Sequence, residues 1–308
     1  MAKVLVIGEA LIDIVHRPDG TVSQYPGGSP ANVALTLGRL GRKTSLLTHI
    51  GSDLYAQQIT RWLSSDQVSL VPGSDSATQT SIAVARLAAD GSAEYEFDFA
   101  WRLPTNLSFS AEVTCVHVGS LAATTLPGCD TALNFVRKLK DQATITYDPN
   151  VRPAFMKNPH DVRGRIEEFV TLADVVKVSD EDLRWLYPAA RPDVMARTWQ
   201  RMGPAVVIVT LGERGALALN MHESVRVSAP PVEVVDTVGA GDSFMGATIN
   251  ALWSQDLLGK SRRSSLRHIS GDTLQKVLEY GSRVSAVTVS RAGANPPTSK
   301  ELEALYEQ

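Results

Sequence analysis

Asp236-Thr237-Val238-Gly239-Ala240-Gly241-Asp242-Ser243-Phe244 is the stretch on which the reading of this chain turns. It follows the apolar run Val232 to Val235, read as a strand end, and it opens Ser243 to Trp253, small and apolar residues enough for a helix. The expected local structure is a strand-to-helix turn. Gly239 and Gly241 permit left-handed or crowded backbone, so consecutive amide N–H groups can converge on one point. At a helix N-terminus those donors and the positive end of the helix dipole favour an anion, and a phosphoryl group in transfer is a natural candidate. Asp242 is the odd member, because a carboxylate beside an anion site repels the anion unless it takes a proton or serves a metal. General base is the role that resolves the conflict. For an isolated G-x-G, packing glycines and a capping aspartate are the plainer account.

Other stretches point to the same chemistry. Gly27-Gly28-Ser29-Pro30-Ala31-Asn32-Val33-Ala34 joins a glycine loop to a helix that starts at a proline, and the Asn32 amide offers ligand hydroxyls both a donor and an acceptor. Upstream, Lys3 to Ile7 reads as a buried parallel strand, and Gly8-Glu9-Ala10-Leu11-Ile12-Asp13 leads to a carboxylate able to accept two hydrogen bonds from adjacent hydroxyls. In Asp148-Pro149-Asn150-Val151-Arg152, Arg152 presents a planar fork of donors to anionic oxygens. Lys177-Val178-Ser179-Asp180-Glu181-Asp182 follows another strand, where an acidic first helical turn complementing the dipole accounts for the charges as well as a functional role does. The apolar run Ala205 to Thr210 ends in Leu211-Gly212-Glu213-Arg214-Gly215, a turn that permits close approach of a flat ligand.

Strand and helix patterns alternate along the chain, which predicts a parallel sheet covered by helices on both faces, with sites at the carboxyl ends of the strands. One segment departs from this. From Thr80 to Phe99 the pattern alternates, with Tyr95, Phe97 and Phe99 on one face, Glu94, Glu96 and Asp98 on the other, and Asp90-Gly91 as the turn. An antiparallel flap acting as a lid is expected, its aromatic face buried on a ligand, on the core or on a second copy in a homodimer. The chain has 308 residues, 44% hydrophobic and 20% charged, with a formal net charge of −3, which suits a soluble globular protein and argues against a nucleic-acid binder. Two cysteines make no disulfide scaffold, and no apolar run approaches the roughly 18 residues of a membrane span, so a cytoplasmic protein without membrane contact is expected.

These strings, in this order over essentially the whole chain, resemble the signatures of the PfkB, or ribokinase-like, family of carbohydrate kinases. The resemblance implies an α/β fold: a three-layer α/β/α core with a mainly parallel sheet, and a small β lid from about residues 11–26 and 80–101, within one kinase domain spanning 1–308. It implies ATP-dependent phosphorylation of a sugar's primary hydroxyl, with Asp242 as base, the amides of Gly239, Ala240, Gly241 and Asp242 holding phosphoryl oxygens, and Mg²⁺ bridging the ATP phosphates. Asp13, Gly27, Gly28 and Asn32 carry over to the sugar site, joined by Phe97 of the flap, and Arg152 to a place near sugar and phosphate. Thr210, Gly212 and Gly215, with Ser179, correspond to nucleotide contacts. Where many relatives carry N-x-x-E near the magnesium, this chain has Ser179 and Asp182, with Glu181 adjacent, and either acid suits the metal. Val289-Ser290-Arg291-Ala292-Gly293-Ala294 resembles the closing turn whose carbonyls, with those around Asp236 and Val238, hold a monovalent cation in many relatives, so K⁺ is a candidate. Ser29-Pro30 is similar to the fructokinase form of the N-terminal signature, which places fructose first among acceptors, 2-keto-3-deoxygluconate second and ribose third. A nucleoside kinase and a non-catalytic sugar binder are the remaining alternatives. Gly259-Lys260-Ser261 lacks the upstream glycine of a P-loop.

Overall fold

The computed structural model describes residues 3–88, 93–109 and 112–306. The strands are Lys3–Ile7 (β1), Leu11–His16 (β2), Val22–Gly27 (β3), Thr44–Leu47 (β4), Val68–Leu70 (β5), Ile82–Leu87 (β6), Ala93–Asp98 (β7), Val113–Gly119 (β8), Thr144–Asp148 (β9), Val175–Ser179 (β10), Val206–Thr210 (β11), Ala216–Leu219 (β12) and Ser224–Val227 (β13). The helices are Ser29–Arg39 (α1), Leu54–Ser64 (α2), Gly128–Leu139 (α3), Pro153–Met156 (α4), Pro159–Leu172 (α5), Asp180–Leu186 (α6), Pro192–Met202 (α7), Ala240–Ser254 (α8), Arg263–Arg267 (α9), Gly271–Val289 (α10) and Ser299–Tyr306 (α11).

One sheet runs β13-β12-β11-β10-β9-β8-β1-β4-β5, parallel except at β11–β12 and β12–β13. Its strands are β-branched and apolar because both faces are covered. Val4, Val6, Cys115, Val175 and Ile208 face a layer that includes α1, α8 and α10, while the alternate residues Leu5, Val116, Ile145, Val176 and Val207 face one that includes α3, α5 and α7. This is the expected three-layer arrangement. Helix α8 is buried along nearly its whole length, which accounts for its lack of a polar face. Its N-terminus is thereby fixed near the carboxyl ends of the central strands.

The second sheet, β3-β2-β6-β7, occupies the expected lid segments. It is mixed rather than antiparallel throughout: β2–β3 and β6–β7 are antiparallel, but β2 and β6 run parallel because α1, β4, α2 and β5 lie between them. The Asp90-Gly91 turn lies outside the described residues, though the register Leu87↔Ala93 and Ile82↔Asp98 is that of a hairpin. Val232 to Val235 is no strand. Val234 and Val235 are 58% and 61% exposed, and the amides of Val235 and Asp236 both donate to the Val289 carbonyl, at 2.8 and 3.1 Å. An apolar run mimics a buried strand in sequence, whereas here it lies along the closing turn, so the key stretch is a loop-to-helix turn.

The lid is tied to the core by Asp53. Its carboxylate caps α2 at the Ala56 amide (2.8 Å) and also accepts from the Thr80 amide (2.8 Å) and hydroxyl (2.7 Å), at the entry to β6. One side chain therefore serves a helix end and the lid's root. Replacing it by alanine removes a cap worth about 1–2 kcal/mol. A lowered melting temperature for Asp53→Ala checks this; an unchanged one contradicts it.

Candidate active site

Asp242 lies in the first turn of α8 and its residue is 4% exposed. Its carboxylate is bound from two other parts of the chain. Ser29 Oγ donates to Oδ1 at 2.7 Å, Asn32 Nδ2 donates to Oδ2 at 2.8 Å, and Asn150 Nδ2 donates to Oδ1 at 3.1 Å. Asn150 Nδ2 also lies 2.6 Å from Ser29 Oγ. The two glycine-containing stretches thus meet at one side chain. Asn32 Oδ1 is buried without a partner among the described residues, an acceptor suited to a sugar hydroxyl. Nothing local in the sequence marks Ser29 and Asn150 as contacts of Asp242, which they reach only across the fold.

Gly239, with φ of 76°, is the N-cap of α8, and no side chain caps this helix. The Ala240 amide is taken by the Thr237 carbonyl at 3.2 Å, a departure from the expected set of four donors, and the Ser243 amide closes the first helical bond to Gly239. The Gly241 and Asp242 amides have no partner among the described residues and form the open part of the cradle. A Cβ on Gly239 would fall 2.7 Å from that of Ala294, so the closing turn packs directly against the cradle. Asp236 fastens the two, accepting from the Val238 amide at 3.0 Å and the Gly293 amide at 2.9 Å.

Asp13 lies over Gly27, where an added Cβ would come 2.1 Å from its Oδ2; Gly28, at φ 105°, has no room for one against the Glu9 carbonyl, 2.5 Å away. Burial pushes the Asp13 pKa up to about 6, partly offset by Arg152. Arg152 reaches the Asn150 side chain at 2.6 Å and exerts its field on Glu9, Asp13 and Asp182. Glu9, unnoticed in the sequence, is buried and accepts from the Ala122 amide at 3.2 Å; burial raises its pKa. Phe97 and Phe99 pack edge-on against Phe155, with centroids 5.6 and 5.4 Å away. Part of the flap's aromatic face is therefore covered within the chain.

Ser179 and Asp182 form a capping box on α6: the Asp182 amide donates to Ser179 Oγ at 2.9 Å and the Ser179 amide to Asp182 Oδ2 at 3.3 Å. Asp182 Oδ1 accepts from the Val151 amide at 3.1 Å, so this acid also anchors the 148–152 loop. Glu181 is exposed beside it. Thr210 ends β11; Gly212 and Gly215 have positive φ, and a Cβ on Gly215 would meet the Val227 carbonyl at 2.0 Å. Arg214 and Arg184 both pair with Asp180, which links this turn to α6. Lys177, buried in β10, pairs with Asp148 at 2.8 Å. A lone charge among Val175, Val176 and Val178 was its sequence signal.

The model of the pfkB family of carbohydrate kinases matches residues 1–301. The chain belongs to that family. Among its curated relatives are a fructokinase of Rhizobium leguminosarum bv. trifolii, 32% identical over 274 residues (85% of this chain, 83% of the relative), and a fructokinase of Klebsiella pneumoniae, 30% identical over 262 residues (81% and 84%). Among solved structures, a fructokinase from Xylella fastidiosa with bound ATP superposes with a TM-score of 0.85 at 23% identity over 100% of both chains. A sugar kinase of Pyrococcus horikoshii in complex with ATP gives 0.79 at 26% identity, covering 99% of this chain and 98% of its own. The ribokinase-like fold is shared with them.

Protonation of Asp13, whose pKa burial raises to about 6, removes a charged hydrogen-bond acceptor from the site as pH falls. We predict that kcat/KM for the sugar declines below about pH 6 in the wild type, while ATP binding changes little there. Steady-state kinetics between pH 5 and 8 check this; a flat kcat/KM across roughly that range contradicts it.

Proposed function

We propose that the chain is an ATP-dependent fructokinase that phosphorylates the 6-hydroxyl of fructose, with residues 1–308 acting as one kinase unit beneath the lid. The observation that carries this is the meeting of the sugar-side residues Ser29 and Asn32 with Asp242, one residue from an open pair of amides at a helix N-terminus. A carboxylate has about four lone-pair sites. Three donors already occupy Asp242, which leaves room for one acceptor hydroxyl whose proton it takes. The Gly241 and Asp242 amides then hold oxygens of the transferring phosphoryl group, where charge stabilisation and positioning supply most of the rate. Asp13 and Asn32 Oδ1 bind other hydroxyls, and the lid excludes water.

The residues present fit a magnesium that arrives with the nucleotide. Among the described residues no three His, Cys, Asp or Glu side chains cluster to hold a metal, and the Asp182 oxygens are engaged by backbone amides, so Glu181 is the free carboxylate of the pair. Mg²⁺ on ATP phosphates needs only one or two protein carboxylates. A potassium site is proposed at the turns joined by Asp236, with Val238 among the carbonyl donors; a Vibrio cholerae fructokinase of this fold is described as binding fructose, ADP and potassium ion. The Arg152 guanidinium already acts on three carboxylates, which favours a neutral sugar over a sugar acid. A homodimer through the lid also remains our proposal, now resting on Val22 and Tyr25 of β3, 51% and 50% exposed.

Asp242→Asn is expected to keep the fold while kcat drops on the order of 10²- to 10⁴-fold, the usual worth of a positioned base. Wild-type turnover contradicts the mechanism. In a coupled ADP-release assay fructose should give a higher kcat/KM than ribose or 2-keto-3-deoxygluconate. A preference of about tenfold for either rival overturns fructose and leaves the family in place.

A further inference from the structure

The Lys177–Asp148 pair lies outside the mechanism above, yet it sits directly beneath the cradle. Both side chains are buried, at 4% and 1% exposure. A Cβ on Gly241 would fall 2.8 Å from Lys177 Nζ, which places the ammonium against the first turn of α8. The helix dipole opposes a cation there, and a buried ion pair is on average no more stabilising than apolar residues of the same shape. Fold stability is therefore a poor reason for it. The other Asp148 oxygen, Oδ1, accepts from the Asn150 amide at 3.2 Å. Asn150 is held at φ 36°, a left-handed conformation that non-glycine residues enter at a cost, and its amide group reaches Asp242 and Ser29.

We propose that Lys177 is a positioning residue for phosphoryl transfer: through Asp148 it holds Asn150 against the base, and its ammonium gives the cradle a fixed positive charge from below. This rests on the reading of Asp242 as the base. The charged and titratable groups facing Lys177 are Asp148 from β9, Asp242 from α8, Asp182 from α6 and His117 from β8. Burial works to lower the Lys177 pKa, but Asp148, then Asp242 and Asp182, outweigh it, so the ammonium persists. Burial, aided by Lys177, pushes His117 down to about 3, which leaves it neutral. Burial raises Asp148, against the pull of Lys177.

The test is the pH dependence of kcat at saturating fructose and ATP in Lys177→Met, Asp148→Asn, the double variant and Asp242→Asn. Lys177→Met should lower kcat by about ten- to a hundredfold, with both KM values within about threefold, as loss of alignment predicts. Its acid limb should move up in pH, because the cation placed beneath the cradle is gone. Asp148→Asn leaves the ammonium unpaired and should move the limb down. The double variant, which orphans no charge, should keep a low kcat with a limb near that of the wild type. Limbs that shift in the same direction in the two single variants, or a Lys177→Met kcat within about twofold of wild type, overturn the proposal. If Lys177→Met does not fold, a folded double variant with wild-type kcat overturns it, and one with low kcat supports it. Wild-type turnover by Asp242→Asn would overturn the base assignment and this inference with it. An inactive Asp242→Asn beside an unmoved Lys177→Met limb overturns this inference alone.

Discussion

The Asp242 carboxylate, bound by Ser29, Asn32 and Asn150, is the contact on which the site depends. A buried carboxylate without donors is costly, and charge-assisted hydrogen bonds are among the stronger ones, so three donors from two distant parts of the chain give this group one position. The same contacts lock α1, α8 and the loop after β9 to each other. Fold and site are therefore joined at one carboxylate: the N-terminus of α8, with its open Gly241 and Asp242 amides, is also the point where the glycine loop before α1 is fastened.

Around this centre the carboxyl ends of the strands contribute in sequence. Loops after β1, β9, β10 and β11 deliver Glu9, Asn150, the α6 cap and the Gly212–Gly215 turn, as expected of an open parallel sheet. The lid adds Asp13 from β2 and meets the core through Phe155 of α4. Negative charge accumulates there, from Glu9, Asp13, Asp148, Asp182 and Asp242, and Arg152 and Lys177 compensate it, one exposed and one buried. Such a balance suits a site that must bind a neutral polyol and a highly charged nucleotide side by side.

The strand and helix order was legible in the sequence because period and punctuation are local properties: β1 occupies the expected Lys3 to Ile7, and β11 starts one residue inside the apolar run Ala205 to Thr210. The Val232 to Val235 run misled, since apolarity marks burial in a sheet only when the sheet has a place for it, and the antiparallel β12–β13 hairpin already closes that edge. Glycines whose missing Cβ is required, such as Gly28 and Gly239, stood out as motif members. Partnerships between side chains more than 200 residues apart did not. Ser29 and Asn32 reach Asp242 only once α1 and α8 are packed, and whether Asp182 serves a metal or a cap depends on where Val151 lies. The S-x-x-D spacing of Ser179 and Asp182 was itself a readable capping signal.

A crystal structure of the protein with fructose and a non-hydrolysable ATP analogue tests the central claim most directly. The account predicts the sugar's primary hydroxyl at about 2.6–3.2 Å from an Asp242 oxygen, with γ-phosphoryl oxygens on the Gly241 and Asp242 amides. A hydroxyl beyond reach of Asp242, with those two amides turned away from the phosphate, would contradict it.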